Sequence, residues 1–252
     1  EGETVILNAA REPEIADLAD FLNSCGARIF GADSGEITVC GVKKLHSAEH
    51  TVIPDRIIAS TYMAAAAVTG GDVRIVDTRA EHITPVIPVF EQAGCKIDCG
   101  ENSVHIRAPE RLRSVRTVRT MPYPGFPTDM QPQITVALCL AEGTSMVTEG
   151  VWDNRYRYVG ELTRMGAQIR VEGRSAVIEG VDHLTAASVQ AYDLRAGAAM
   201  VIAALAAEGT SEVSNVHYIE RGYEDIIGKL RNLGAQIDSV ECDETVETRQ
   251  IG

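Results

Sequence analysis

The chain has 252 residues, 45% of them apolar and only 5% aromatic, and a formal net charge of −13 at pH 7. That length suits one large domain or two smaller ones, with a core built from Ala, Val, Ile and Leu. The negative charge argues against nucleic-acid phosphates and anionic membranes as partners of the whole chain.

No apolar run reaches membrane-spanning length and no signal-peptide pattern opens the chain. Cys25, Cys40, Cys95, Cys99, Cys139 and Cys242 lack paired metal spacing. Reduced thiols in a soluble cytoplasmic protein, without a metal site, are the expectation.

Taken in order, the chain announces a repeat. Glu1-Gly2-Glu3-Thr4 leads into a β-branched run, then an amphipathic stretch over 14–22 and the turn Cys25-Gly26-Ala27-Arg28-Ile29. The turn pattern returns as Ala93-Gly94-Cys95-Lys96-Ile97, Met165-Gly166-Ala167-Gln168-Ile169 and Leu233-Gly234-Ala235-Gln236-Ile237. Its glycines are spaced by 68, 72 and 68 residues. Between these lie the second marks Gly70-Gly71-Asp72-Val73, Glu142-Gly143-Thr144-Ser145 and Glu208-Gly209-Thr210-Ser211. One unit therefore predicts helix, turn, strand, helix, turn and a two-stranded ribbon, with each turn glycine ending a helix in the left-handed conformation.

Segments 57–68, 134–140 and 194–207 are apolar nearly all round and rich in alanine, which predicts interior helices. The ribbon sequences 36–39, 103–106 and 175–178 largely alternate, which predicts half-buried strands. Helices in the middle with sheets outside is the implied layering. Both ends read as cut. The helix that precedes each Glu-Gly mark is missing before Glu1, and the ribbon due after Ile237 is replaced by the polar Cys242-Asp243-Glu244-Thr245.

The stretch Tyr123-Pro124-Gly125-Phe126-Pro127-Thr128-Asp129-Met130-Gln131 is stiff, since with Pro122 and Pro132 it holds four of nine prolines. Taken alone, Thr128-Asp129 predicts a helix cap. Comparable junctions carry Asn8-Ala9-Ala10-Arg11-Glu12-Pro13-Glu14, Pro54-Asp55-Arg56, Val151-Trp152-Asp153-Asn154-Arg155, Asp193-Leu194-Arg195 and Arg221-Gly222-Tyr223-Glu224. Helix starts gathered on one edge bind phosphate or carboxylate. Arg155, Arg195 and Arg221, placed near such starts against the macrodipole, point to an anion held between them. Asp129 and Asp193 become candidates for proton transfer or for orienting a hydroxyl.

At these residues the chain resembles the UDP-N-acetylglucosamine enolpyruvyl transferase family, over its first residues to about 239. Several of these motifs look specific to it and are not shared with its shikimate-pathway relative. The resemblance implies an inside-out α/β barrel (EPSP synthase-like) of repeated β-α-β-α-β-β units, truncated at the N-terminus. Residues 1–53 would be the last repeat of the loop-bearing domain, 54–240 the second enolpyruvyl-transferase domain and 241–252 a polar tail. It also implies transfer of the enolpyruvyl group of phosphoenolpyruvate to the 3-hydroxyl of UDP-N-acetylglucosamine, with release of phosphate and no cofactor, at the start of peptidoglycan synthesis.

The same resemblance implies the residue roles. Asp129 would contact the sugar 3-hydroxyl as the base, with Thr128 and the Val151 main chain on the UDP-sugar. Asp193 would assist proton transfer, Arg221 and Arg195 would hold phosphoenolpyruvate, and Arg155 would support the site. Trp152 stands where the family often has Phe, and Tyr218 where a His is common. The family's lysine–asparagine pair and its Cys- or Asp-bearing loop lie upstream of anything present, so the expected partner is the missing N-terminal part of the same enzyme. The alternatives are a non-catalytic paralogue or binding module with this fold, and a 3-phosphoshikimate 1-carboxyvinyltransferase.

Overall fold

The structure, a computed structural model, describes residues 2–240. The first unit comprises β1 (Glu3–Leu7), α1 (Pro13–Ser24), β2 (Arg28–Phe30) and β3 (Glu36–Cys40), which form an antiparallel sheet of order β1-β3-β2 with α1 against β2. Next come α2 (Arg56–Val68), β4 (Asp72–Val76), α3 (Ile87–Gln92), β5 (Lys96–Cys99) and β6 (Ser103–Arg107), whose sheet runs β4-β6-β5. The short β7 (Val118–Arg119) and α4 (Gln131–Cys139) lead to β8 (Thr144–Thr148), α5 (Val159–Arg164), β9 (Gln168–Glu172) and β10 (Ser175–Glu179), in the order β7-β8-β10-β9. After β11 (Leu184–Thr185) and β12 (Ser188–Gln190) come α6 (Leu194–Ala206), β13 (Ala207–Glu208) and β14 (Glu212–Ser214). Here β11 pairs with β13 and β12 with β14, both parallel. The short helices α7 (His217–Glu220) and α8 (Ile226–Asn232) follow.

The repeat has one physical cause at its turns. Gly26, Gly94, Gly166 and Gly234 have φ of +94°, +98°, +92° and +99°, a region costly for any residue with a Cβ. In each copy the next N–H returns to a helix carbonyl five residues back, as Ala27 to Leu22, Cys95 to Phe90, Ala167 to Leu162 and Ala235 to Leu230, all at 3.0 Å. This is the hydrogen bond that closes a Schellman end and turns the chain out of the helix.

Layering follows from the alanine-rich helices. α2, α4 and α6 pack on one another, and every residue of α4 is buried. The sheets lie outside them, with Val104 and Ile106 of β6 and Ala176 and Ile178 of β10 turned inward at 0% exposure. This is the inside-out arrangement that the sequence implies.

The first unit is covered far less. All of β1 is exposed, including Val5, Ile6 and Leu7, and α1 buries only Ala19. Residues 235–240 form no strand, while Cys242-Asp243-Glu244-Thr245 and the rest of 241–252 lie outside the described residues.

Candidate active site

Each of the three interior helices has an aspartate at its start, and they do not serve alike. Asp55 caps α2, its Oδ1 accepting from the Ile57 and Ile58 N–H groups at 2.7 and 3.0 Å. Asp193 caps α6 in the same way, its Oδ1 accepting from the Arg195 and Ala196 N–H groups, both at 2.8 Å. Asp129 sits in a 3-10 turn, Thr128–Met130, ahead of α4 and caps nothing. The capping expectation at Thr128-Asp129 is therefore corrected: the carboxylate is turned to two guanidiniums.

Arg155 Nη2 donates to Asp129 Oδ1 at 3.0 Å, and Arg195 Nε donates to Asp129 Oδ2 at 3.0 Å. Arg155 also fixes the turn itself, its Nε and Nη2 donating to the Thr128 carbonyl at 3.2 and 3.0 Å. Arg155 and Arg195, read from sequence as anion-binding, both hold the protein's own Asp129. With one guanidinium on each oxygen, the carboxylate keeps lone pairs for a ligand hydroxyl.

The clamp is anchored in the helix core. Arg195 Nη1 reaches the Tyr223 hydroxyl at 3.4 Å and its guanidinium lies 5.7 Å from the Tyr223 ring centre. The same hydroxyl bonds Thr61 Oγ1 of α2 at 2.9 Å and takes a bond from Gln133 Nε2 of α4 at 3.5 Å. Burial opposes the Arg195 charge, but Tyr223 and Asp129 outweigh it and hold the guanidinium above the ordinary arginine pKa.

Asp129 opens on a cleft of about 210 Å³ lined by Glu12, Arg56, Met121, Pro122, Tyr123, Gly125, Pro127, Thr128 and Val151 besides itself. Arg56 is buried at the start of α2, with its Nε on Glu14 Oε1 at 2.9 Å and its guanidinium 5.5 Å from the Tyr123 ring centre. The Pro-rich stretch and Val151 therefore line the cleft around one carboxylate.

Of the residues predicted from sequence, Thr128, Asp129 and Val151 share this cleft, and Arg155 and Arg195 reach it through Asp129. Asp193 and Arg221 are not in its lining. Arg221 also corrects the sequence placement, because it follows the C-terminal end of α7 and does not start a helix.

Sequence reasoning passed over Glu149, which is 2% exposed. Its Oε1 accepts from Thr120 Oγ1 at 2.7 Å, from the Val151 N–H at 2.8 Å and from the Trp152 N–H at 2.9 Å, while its Oε2 accepts from Thr128 Oγ1 at 3.1 Å. A single acid after β8 gives no signal in a chain with thirty-six of them.

The EPSP synthase (3-phosphoshikimate 1-carboxyvinyltransferase) family model matches residues 1–230. UDP-N-acetylglucosamine 1-carboxyvinyltransferase 2 of Caldanaerobacter subterraneus subsp. tengcongensis is 53% identical over 237 residues, 94% of this chain and 57% of that protein. The UDP-N-acetylglucosamine 1-carboxyvinyltransferase of Geobacter metallireducens is 47% identical over 95% of this chain and 57% of its own length. Among solved structures, the enolpyruvyl transferase NikO from Streptomyces tendae superposes with a TM-score of 0.83 at 28% identity, over 93% of this chain and 56% of that one. EPSP synthase from Acinetobacter baumannii shares the fold at a TM-score of 0.72 and 20% identity, over 96% of this chain and 58% of its own. The chain thus spans a little over half the length of the relatives it matches. By family match, relatives and fold together, this chain belongs to the EPSP synthase-like enolpyruvyl transferases, in the branch of the UDP-N-acetylglucosamine 1-carboxyvinyltransferases.

Proposed function

We propose that this chain supplies one wall of an enolpyruvyl-transfer site, in which the enolpyruvyl group of phosphoenolpyruvate passes to the 3-hydroxyl of UDP-N-acetylglucosamine and phosphate leaves, the step that commits material to peptidoglycan. The observation that carries the reading is Asp129, a carboxylate held on both oxygens by Arg155 and Arg195 at the edge of a cleft. Two fixed guanidiniums aim it at one place, as acid–base and orienting groups require.

In this reading Asp129 orients the sugar 3-hydroxyl and takes its proton, and Thr128 and the Val151 main chain lie along the sugar. Arg195 and Arg221 hold phosphoenolpyruvate, with Arg155 bracing Asp129. Asp193 assists proton transfer through its Oδ2, since Oδ1 caps α6. Residues 1–53 act as a repeat of the neighbouring domain, 54–240 as the second transferase domain and 241–252 as a tail. The remaining part of the enzyme completes the site and covers the apolar face of β1. It supplies the lysine, the asparagine and the loop proton donor, so this chain alone turns nothing over.

A chimera tests this. When the segment of the Caldanaerobacter relative that this chain does not span is joined ahead of Glu1, we expect phosphate release from phosphoenolpyruvate that depends on UDP-N-acetylglucosamine. Release that depends on 3-phosphoshikimate would instead select the shikimate reaction. A folded chimera that releases phosphate with neither acceptor would favour a non-catalytic paralogue.

A further inference from the structure

The turn that carries Val151 is built around a buried anion. Gly150 N–H donates to Thr120 Oγ1 at 2.7 Å, and Thr120 donates its own hydroxyl to Glu149 Oε1. The next two N–H groups, Val151 and Trp152, also go to Oε1, so three successive main-chain donors are drawn inward. Thr128 joins from the 3-10 turn ahead of α4 by giving its hydroxyl hydrogen to Oε2. A carboxylate has no hydrogen to give back, so Glu149 fixes the Thr120 and Thr128 hydroxyls as donors beside the two N–H groups.

What remains for a ligand follows directly. The Val151 N–H is engaged, which leaves its carbonyl, and the Thr128 hydroxyl hydrogen is engaged, which leaves the lone pairs of that side-chain oxygen. Asp129 beside them is an acceptor too, with both guanidiniums behind it. Arg56, the cation in the lining, gives its Nε hydrogen to Glu14 and keeps its Nη donors apart from these three residues. The side chains of Thr128 and Asp129 and the carbonyl of Val151 therefore face a ligand as acceptors.

We propose that Glu149 is the specificity-determining positioning residue of this cleft. By holding its neighbours' donors, it makes the wall select a ligand edge that presents donors, such as sugar hydroxyls and an acetamido N–H. Glu149 touches no ligand and acts through Thr128 and Val151. The inference rests on the sugar-binding reading above and deepens it by naming what the wall recognises. A site built to bond a hydroxyl rejects an analogue without one, because its own buried polar groups are left unpaired.

Glu149→Gln is the informative change. The amide oxygen can replace Oε1 and keep Thr120, Val151 and Trp152, while the NH2 group replaces Oε2 and donates to Thr128 Oγ1. The Thr128 hydroxyl hydrogen then turns outward, and one acceptor of the wall becomes a donor. UDP-N-acetylglucosamine and its 3-deoxy-3-fluoro analogue, which accepts but cannot donate at that position, are titrated into the full chain. In E149Q we expect the preference for hydroxyl over fluorine to fall by about tenfold, the scale of one hydrogen bond to a charged group. Thr128→Val should produce a comparable fall, and adding E149Q to it should change nothing more. Should E149Q fail to fold, T128V alone carries the same prediction. A folded E149Q with an unchanged preference would overturn the proposal, as would a T128V background in which E149Q still acts in full.

Hydrogen exchange on the ligand-free chain separates this proposal from the substrate reading. The Val151 and Trp152 amides should be protected in the native chain and lose that protection in Glu149→Ala. Protection with no binding of either nucleotide would defeat the substrate reading and leave the Glu149 assignment standing. Unprotected amides in the native chain would defeat the assignment itself.

Discussion

Asp129→Ala is expected to lower the stability of the chain by about 2–3 kcal/mol, read as a shift of the urea midpoint at unchanged slope. The substitution leaves two guanidiniums facing one another without their shared anion. Their side chains are only 8% and 15% exposed, so water does little to replace the carboxylate. Breaking a wholly buried pair costs about 3–5 kcal/mol, and the lower figure reflects the 39% exposure of Asp129. Adding Arg195→Met should recover part of the loss, because it removes one of the orphaned charges. A single-mutant effect below about 0.5 kcal/mol, the range of an ordinary surface change, would mean that the triad is not a real unit.

Gly180→Ala is expected to cost more, about 4 kcal/mol or above, or to prevent folding. Gly180 follows β10 and passes over the end of α4, where its N–H bonds the Gly143 carbonyl at 3.0 Å. A Cβ there would stand 1.6 Å from the Ala141 carbonyl oxygen and 2.7 Å from its carbon. Those are main-chain atoms locked by the helix end, with no rotamer to relieve the overlap. Gly160→Ala is the matched control, since a Cβ on that residue of α5 meets nothing within 4 Å. Its effect should be neutral or a gain of about 0.4–1 kcal/mol, from a less flexible unfolded chain. Equal behaviour of the two variants in thermal unfolding would contradict the close contact at Gly180.

These two cases mark what the sequence makes legible. The four turn glycines are readable because a positive φ all but demands glycine, so a geometric need leaves a letter at a fixed spacing. The interior helices are readable because alanine runs without a polar stripe have no solvent face. Asp129 was readable as a residue that matters, but not for its local reason. Thr-Asp after proline signals a cap, and Asp55 and Asp193 are caps. What diverts Asp129 is a pair of arginines 26 and 66 residues further along, which only the tertiary fold brings together.

Arg221 failed in the opposite sense. Its repeat position implied a helix start, but the chain there makes the four-residue α7 and leaves Arg221 beyond its end. Glu149 left no trace, because its role exists only once Thr120, Thr128 and the 150–152 turn surround it. Tyr223 braces Arg195 from a position 162 residues from Thr61, its partner in α2. The scaffold is written locally, while the site is written in contacts between units.

The most direct measurement is a titration of the isotope-labelled chain with UDP-N-acetylglucosamine, followed residue by residue by NMR. Saturable shifts should centre on Thr128–Met130 and on Val151 and Trp152, and should be lost in Asp129→Asn. Shifts confined to the separate hollow at Thr51, Val52, Ile53, Pro54, Asp77, Arg79 and Asn102, or an Asp129→Asn chain that binds as well as the native one, would contradict an acceptor wall centred on Asp129.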